Sequence, residues 1–183
     1  MLISLLILIV LAIGTYGGAR KGIALEAFYL FGYALTFLIA KLQYAKVGPK
    51  FELLIPYPSV TTDSNLVFFS HEISLKLDQA FYAAFAFMLI LFIGWLLIHF
   101  VGIFADALRF TPIPQTTDWI GGGLIAFINT YLVIFMVLWI LSLVPLDSTQ
   151  NIFRHSGLAR LITQDTPHFS KEIYRLWITN IVK

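Results

Sequence analysis

Residues 119–146 read WIGGGLIAFINTYLVIFMVLWILSLVPL, a run of apolar and small residues without one charged side chain. The hydrocarbon core of a bilayer is crossed by roughly 20 consecutive apolar residues in helical form. A lone segment in lipid can satisfy its backbone N–H and C=O groups only as a helix. The stretch therefore predicts a transmembrane helix. Three further segments meet the same requirement: 79–105, interrupted only by His99; 22–41, with Glu26 in its opening turn; and 1–19, which has no side-chain charge. The reading is an all-α integral membrane protein with four transmembrane helices. Its membrane domain covers 1–146, with a long surface loop over 42–78, and an amphipathic C-terminal tail covers 147–183.

Composition supports this. Of 183 residues, 59% are hydrophobic and only 12% are charged, against roughly 25% charged in a soluble domain. Mean hydropathy is +0.86. A water-soluble fold of this size exposes too much of its area to hide that much apolar surface. The chain has no cysteine, which excludes disulfides, thiolate metal sites and cysteine nucleophiles. Net charge is +2 with the basic residues scattered, so nucleic acid is not expected as a partner. His71, His99, His155 and His168 show no metal-ligand spacing. No phosphate-binding loop, nucleophile elbow or metalloprotease helix is present, so neither a cofactor nor an enzyme is expected.

The connections differ in kind. Gly14, Gly17, Gly18 and Gly22 surround a very short turn, so the first two spans should form an antiparallel hairpin. Arg20 and Lys21 follow the first apolar run instead of preceding it, which argues for an uncleaved span over a signal peptide. The 42–78 link carries Pro49, Pro56 and Pro58 but is apolar at 51–55 and 66–69, and should lie on the membrane surface or dip into it. Pro112 and Pro114 stop the third helix. In the tail, Ile173, Leu176, Trp177 and Ile181 fall on one helical face, and Ser156 and Ser170 are positioned as N-caps either side of Pro167. These helices should rest on the membrane; a fifth span would bury several charges at about 2.5–3.5 kcal/mol each. Orientation stays open. Nine Lys and Arg fall on the side of the termini and long loop and three on the other, yet the first helix has its basic flank after it.

The polar residues of the spans each carry two readings. Glu26 is either an intramembrane carboxylate on an ion path or an acid at a helix N-terminus, paired with the basic turn Arg20-Lys21. Asp106 and Arg109 are spaced to pair, with His99 two turns earlier as a conceivable relay partner. Asp118 is placed as N-cap of the fourth span. Gly122 and Ala126, followed by Asn129 and Thr130, form a stripe that admits a second helix and hydrogen-bonds across the contact; the sharper alternative is a pore lining.

These pieces together resemble the colicin V production protein (CvpA) family. The stretch Gly17-Gly18-Ala19-Arg20-Lys21-Gly22-Ile23-Ala24-Leu25-Glu26 is similar to the family's basic-Gly-x-x-x-Glu turn. Asp118-Trp119-Ile120-Gly121-Gly122 is similar to its Asp followed four residues later by Gly. Ile55-Pro56-Tyr57-Pro58-Ser59 and Asp78-Gln79-Ala80-Phe81-Tyr82 look like its longer-loop branch, and the match runs in order along nearly the whole chain. Where the family often has a second Gly and then Arg-Gly, this chain has Ala126 and Asn129-Thr130. The resemblance implies a multi-pass protein of the bacterial inner membrane, associated with production or export of a peptide toxin. Expected partners are the lipid bilayer, other copies of the chain, and peptide-export or envelope proteins. Some members carry a protease domain after the membrane part, which is not expected in a chain of this length.

Overall fold

The computed structural model describes residues 2–58, 66–69, 73 and 76–182. Four long helices dominate: α1 (Leu2–Ala19), α2 (Ile23–Val47), α3 (Leu77–Gly102) and α4 (Gln115–Ser142). At 1.5 Å per residue the shortest, with 18 residues, is about 27 Å long and close to the thickness of a bilayer core. No strand occurs among the described residues. Leu5, Ile13, Phe31, Leu97, Phe100 and Val133 are exposed on these helices. A surface this continuously apolar is stable in hydrocarbon and not in water. The chain is a multi-pass, all-α membrane protein.

The four long helices overlap the spans read from the sequence but differ from them at several ends. The second helix continues past Lys41 to Val47 and then a 3₁₀ turn at Gly48–Phe51. The fourth begins four residues before Trp119 and stops at Ser142, ahead of Pro145. The chain divides into two units, each with parts of every long helix. One comprises Leu5–Ile39 and Ile90–Ile134; the other comprises Met1–Ser4, Ala40–Leu89 and Phe135–Lys183.

The second unit contains the tail, folded as α5 (Asp147–His155), α6 (Gly157–Asp165) and α7 (Phe169–Tyr174), which runs into a π turn at Arg175–Thr179. The tail is amphipathic as its spacing predicts. Its apolar face is covered by protein of its own unit and does not lie open to lipid: Phe153, Ile162, Ile173 and Trp177 are buried. Trp177 meets Phe87 and Trp139 edge-on, with ring centroids 5.7 and 6.1 Å apart.

Polar side chains close the helix ends here. Pro145 lacks an N–H and ends α4, leaving carbonyls without helical donors. Gln150 donates through Nε2 to the Val144 carbonyl (2.8 Å) and, more weakly, to that of Ser142 (3.3 Å), while its Oε1 accepts from Val67 N–H (3.0 Å). The Tyr57 hydroxyl donates to the Leu143 carbonyl at 2.7 Å. Burial, with Asp78 nearby, raises the Tyr57 phenol above its ordinary pKa and keeps the proton on this donor. The Tyr44 hydroxyl donates to the Leu176 carbonyl at 2.9 Å. The Lys41 ammonium hydrogen-bonds the Glu172 carboxylate and lowers its pKa.

Ser156 caps α6 as expected, its Oγ accepting from Ala159 N–H at 3.1 Å. Ser170 does not cap α7. That helix starts at Phe169 behind His168, and the Ser170 hydroxyl donates to the Thr163 carbonyl at 2.9 Å. Parts of the long loop pack onto helices of this unit, with Phe51 on Phe85 and Phe68 on Phe153. Leu53 and Leu54 remain exposed. Residues 59–65, 70–72 and 74–75 of the loop, His71 among them, lie outside the described residues.

Among the described residues the buried Trp177 indole N–H has no acceptor. Trp177→Phe therefore keeps most of the packing and removes an unpaired donor, so it should change stability little. Trp177→Ala should cost about 3–5 kcal/mol. Denaturant titration of the detergent-solubilised protein separates the two, and equal loss in both variants would contradict the packing role.

Candidate functional site at the first hairpin

The hairpin turn sets the site. Gly18 lies in the last turn of α1, its carbonyl accepting from the N–H groups of Lys21 (3.0 Å) and Gly22 (3.1 Å). Gly22 has φ +83°, in the left-handed region that favours glycine. Its carbonyl then accepts from Glu26 N–H at 3.2 Å, so Gly22 is also the N-cap of α2. A glycine cap offers no side-chain acceptor for the first N–H groups of the helix.

Asp118 supplies that acceptor from another helix. Its Oδ1 accepts from Ile23 N–H at 2.7 Å. This corrects the expectation for Asp118: α4 starts at Gln115, and Asp118 caps α2 instead of its own helix. A Cβ on Gly22 would lie 2.8 Å from the Asp118 Oδ1, so only glycine leaves the carboxylate room.

The glycine stripe of α1 meets the small stripe of α4. A Cβ on Gly18 would land on the Ala126 methyl and come within 3.0 Å of the Gly122 carbonyl oxygen. A Cβ on Gly122 would lie 2.7 Å from the Gly18 carbonyl oxygen and 2.8 Å from the Gly22 carbonyl carbon. Gly14 abuts Thr130 in the same way. Positions 14, 18 and 22 thus run against 130, 126 and 118 in antiparallel order. This is close backbone packing of the small-xxx-small kind. Gly122 and Ala126 are thus packed against α1.

Lys21 and Glu26 complete the cluster. The ammonium lies 3.0 Å from Glu26 Oε1 and 5.0 Å from the centre of the Tyr29 ring. The Glu26 side chain is only 5% exposed, while that of Lys21 is 34% exposed. Arg20 is exposed, with no carboxylate paired to it among the described residues.

Asn129 departs from expectation. Its Nδ2 is buried without an acceptor among the described residues, so that N–H makes no hydrogen bond across the helix contact there. The pair Asp106–Arg109 does form, at 2.7 Å in a 3₁₀ turn. His99 is engaged elsewhere: its Nδ1 lies 3.0 Å from the Trp95 carbonyl oxygen and its ring stacks on Tyr29 at 4.9 Å. Sequence reading also missed the close approach of α2 and α3, where Cβ atoms on Gly94 and Gly102 would collide with Thr36 and Tyr29. Isolated glycines without a four-residue repeat gave no signal for it.

Two predictions follow from this geometry. Gly122→Leu should abolish recovery of folded protein from detergent extracts, whereas Gly123→Ala should fold normally, because a Cβ there would sit 3.4 Å from that of Ala19, an ordinary contact. Size-exclusion chromatography reads both, and a monodisperse Gly122→Leu peak would refute the packing. Separately, Lys21→Met leaves a buried carboxylate without its cation, which is more costly than removing both charges. Lys21→Met should therefore unfold at a lower temperature than Lys21→Met/Glu26→Gln; the reverse order would show that the pair does not bear on stability.

The colicin V production protein family matches residues 3–167. The chain is 29% identical over 177 residues to YshB, an uncharacterized transmembrane protein of Bacillus subtilis strain 168, covering 96% of this chain and 97% of that protein. No solved structure matches. The turn of Lys21, Gly22 and Glu26 and the Asp118–Gly122 pair, read as family motifs, come together at one helix contact, and the chain belongs to the colicin V production protein family.

Proposed function

We propose that this chain is a non-catalytic scaffold or accessory protein of the bacterial cytoplasmic membrane, supporting production or export of a peptide toxin, or homeostasis of the envelope. Family membership suggests the process. The observation that carries the scaffold reading is the use made of the polar residues at the hairpin. Asp118 ties α4 to the start of α2, and Lys21 and Glu26 tie the turn to the first turn of α2; such engagement suits a rigid support better than a relay that must exchange partners. The exposed apolar residues Leu53 and Leu54 of the long loop offer contacts to lipid or to other envelope proteins.

A channel remains the rival reading, and the buried, unpaired amide of Asn129 favours it, because polar groups inside a membrane are costly and mark ion or solute paths. Liposome flux discriminates. The scaffold reading expects vesicles containing folded protein to leak ions no faster than protein-free vesicles. It also expects a photo-crosslinker at Leu53 in native membranes to capture a defined envelope protein. Flux well above background that falls on Asn129→Leu would replace the scaffold with the channel.

A further inference from the structure

Within the hairpin unit, α1 and α4 leave an apolar groove of about 500 Å³ between them, inside the roughly 300–1,000 Å³ range of small-molecule pockets. Its floor is Thr15, Ala19 and Gly123, and its walls include Tyr16, Trp119 and Phe127. The floor is apolar even at Thr15, because that hydroxyl donates to the Leu11 carbonyl of its own helix at 2.7 Å. The groove spans Leu11 to Ala19 along α1, about 12 Å at 1.5 Å per residue. The length and apolar lining suit one hydrocarbon chain.

A cation borders the groove: Arg20 directly follows Ala19, the last residue of α1 in its lining. Arg20 N–H donates to the Tyr16 carbonyl at 3.2 Å, so Arg20 continues the helical register one turn beyond the Tyr16 wall. Its side chain is exposed and no carboxylate pairs with it among the described residues. The neighbouring cation, Lys21, is held by Glu26 and leaves Arg20 as the available positive charge at this end. Trp119, exposed at the same end, adds an indole N–H donor. An exposed guanidinium and an exposed indole N–H at one end of the groove suit a phosphate.

We propose that this groove holds an acyl chain of an anionic phospholipid, whose phosphate is held at Arg20. A second copy of the chain is the less fitting occupant, since nothing in the groove would complement the unpaired cation.

The test places the full-length protein in phosphatidylcholine nanodiscs doped with either phosphatidylglycerol or phosphatidylcholine bearing a diazirine in one acyl chain. Photolabelled residues are then mapped by mass spectrometry. Labelling within 11–19 and 119–127 should favour phosphatidylglycerol about fivefold at low salt, the preference of one basic residue for anionic lipid. Labelling at Phe92 and Phe100 on α3 should show no such preference. Arg20→Gln should equalise the two lipids at the groove and Arg20→Lys should keep the preference. Gly123→Leu, directed into the groove, should abolish labelling there by both lipids. Should that variant not fold, the Arg20 pair decides alone. Equal labelling of the unmodified groove, or a preference untouched by Arg20→Gln, would overturn the proposal. So would a groove that neither lipid labels while Leu124→Cys, in a chain with no native cysteine, forms a disulfide-linked dimer.

Discussion

Hydrocarbon offers no hydrogen bonds, so a polar group brought into the spans or released at a helix end is stabilised by a partner within the chain. The Ile23 N–H, uncovered where α2 begins, takes Asp118. The carbonyls freed before Pro145 take Gln150 and Tyr57. In each case the partner lies on a different segment. Satisfying a helix end therefore also joins two segments, and local capping and tertiary structure become the same requirement.

The hairpin makes that coupling physical. Asp118 reaches Ile23 N–H only because Gly18 and Gly122 let the two backbones nearly touch. A side chain at either position separates the helices and takes the carboxylate out of hydrogen-bond range. The contact gains van der Waals packing along the stripe, while a cap of this kind contributes about 0.5–2 kcal/mol. Neither survives without the other. Asp118, Gly122, Ala126 and Thr130 recur every four residues for this reason, set against Gly22, Gly18 and Gly14.

Much of this was legible in the sequence. The spans announce themselves by length and absence of charge, and the four-residue glycine repeat marks where helices approach. Helix ends were less legible. Lys41 looked like the end of the second span, but its long side chain reaches Glu172 of the tail and the helix continues to Val47. Asp118 looked like a local cap because cap rules are local, yet its donor is 95 residues away. Ser156 fits the local rule because its helix starts beside it, whereas Ser170 gives its hydroxyl to the Thr163 carbonyl. Composition cannot say which of several nearby acceptors a hydroxyl will choose. The groove between α1 and α4 was illegible for a related reason: it is a shape left by two helices, and no residue in it is unusual alone.

Groups without a protein partner differ in what they cost. The Asn129 amide and the Trp177 indole are buried donors, and each carries a desolvation penalty of about 1–3 kcal/mol that the surrounding packing must offset. Arg20 is exposed and carries no such penalty, because water or a lipid headgroup can solvate it at the end of a span. In a hairpin that otherwise pairs its charges, an unpaired cation at a membrane boundary is stable only if its solvent is polar or anionic. The bilayer supplies such a solvent at the headgroup layer, beside an apolar groove open to its acyl chains.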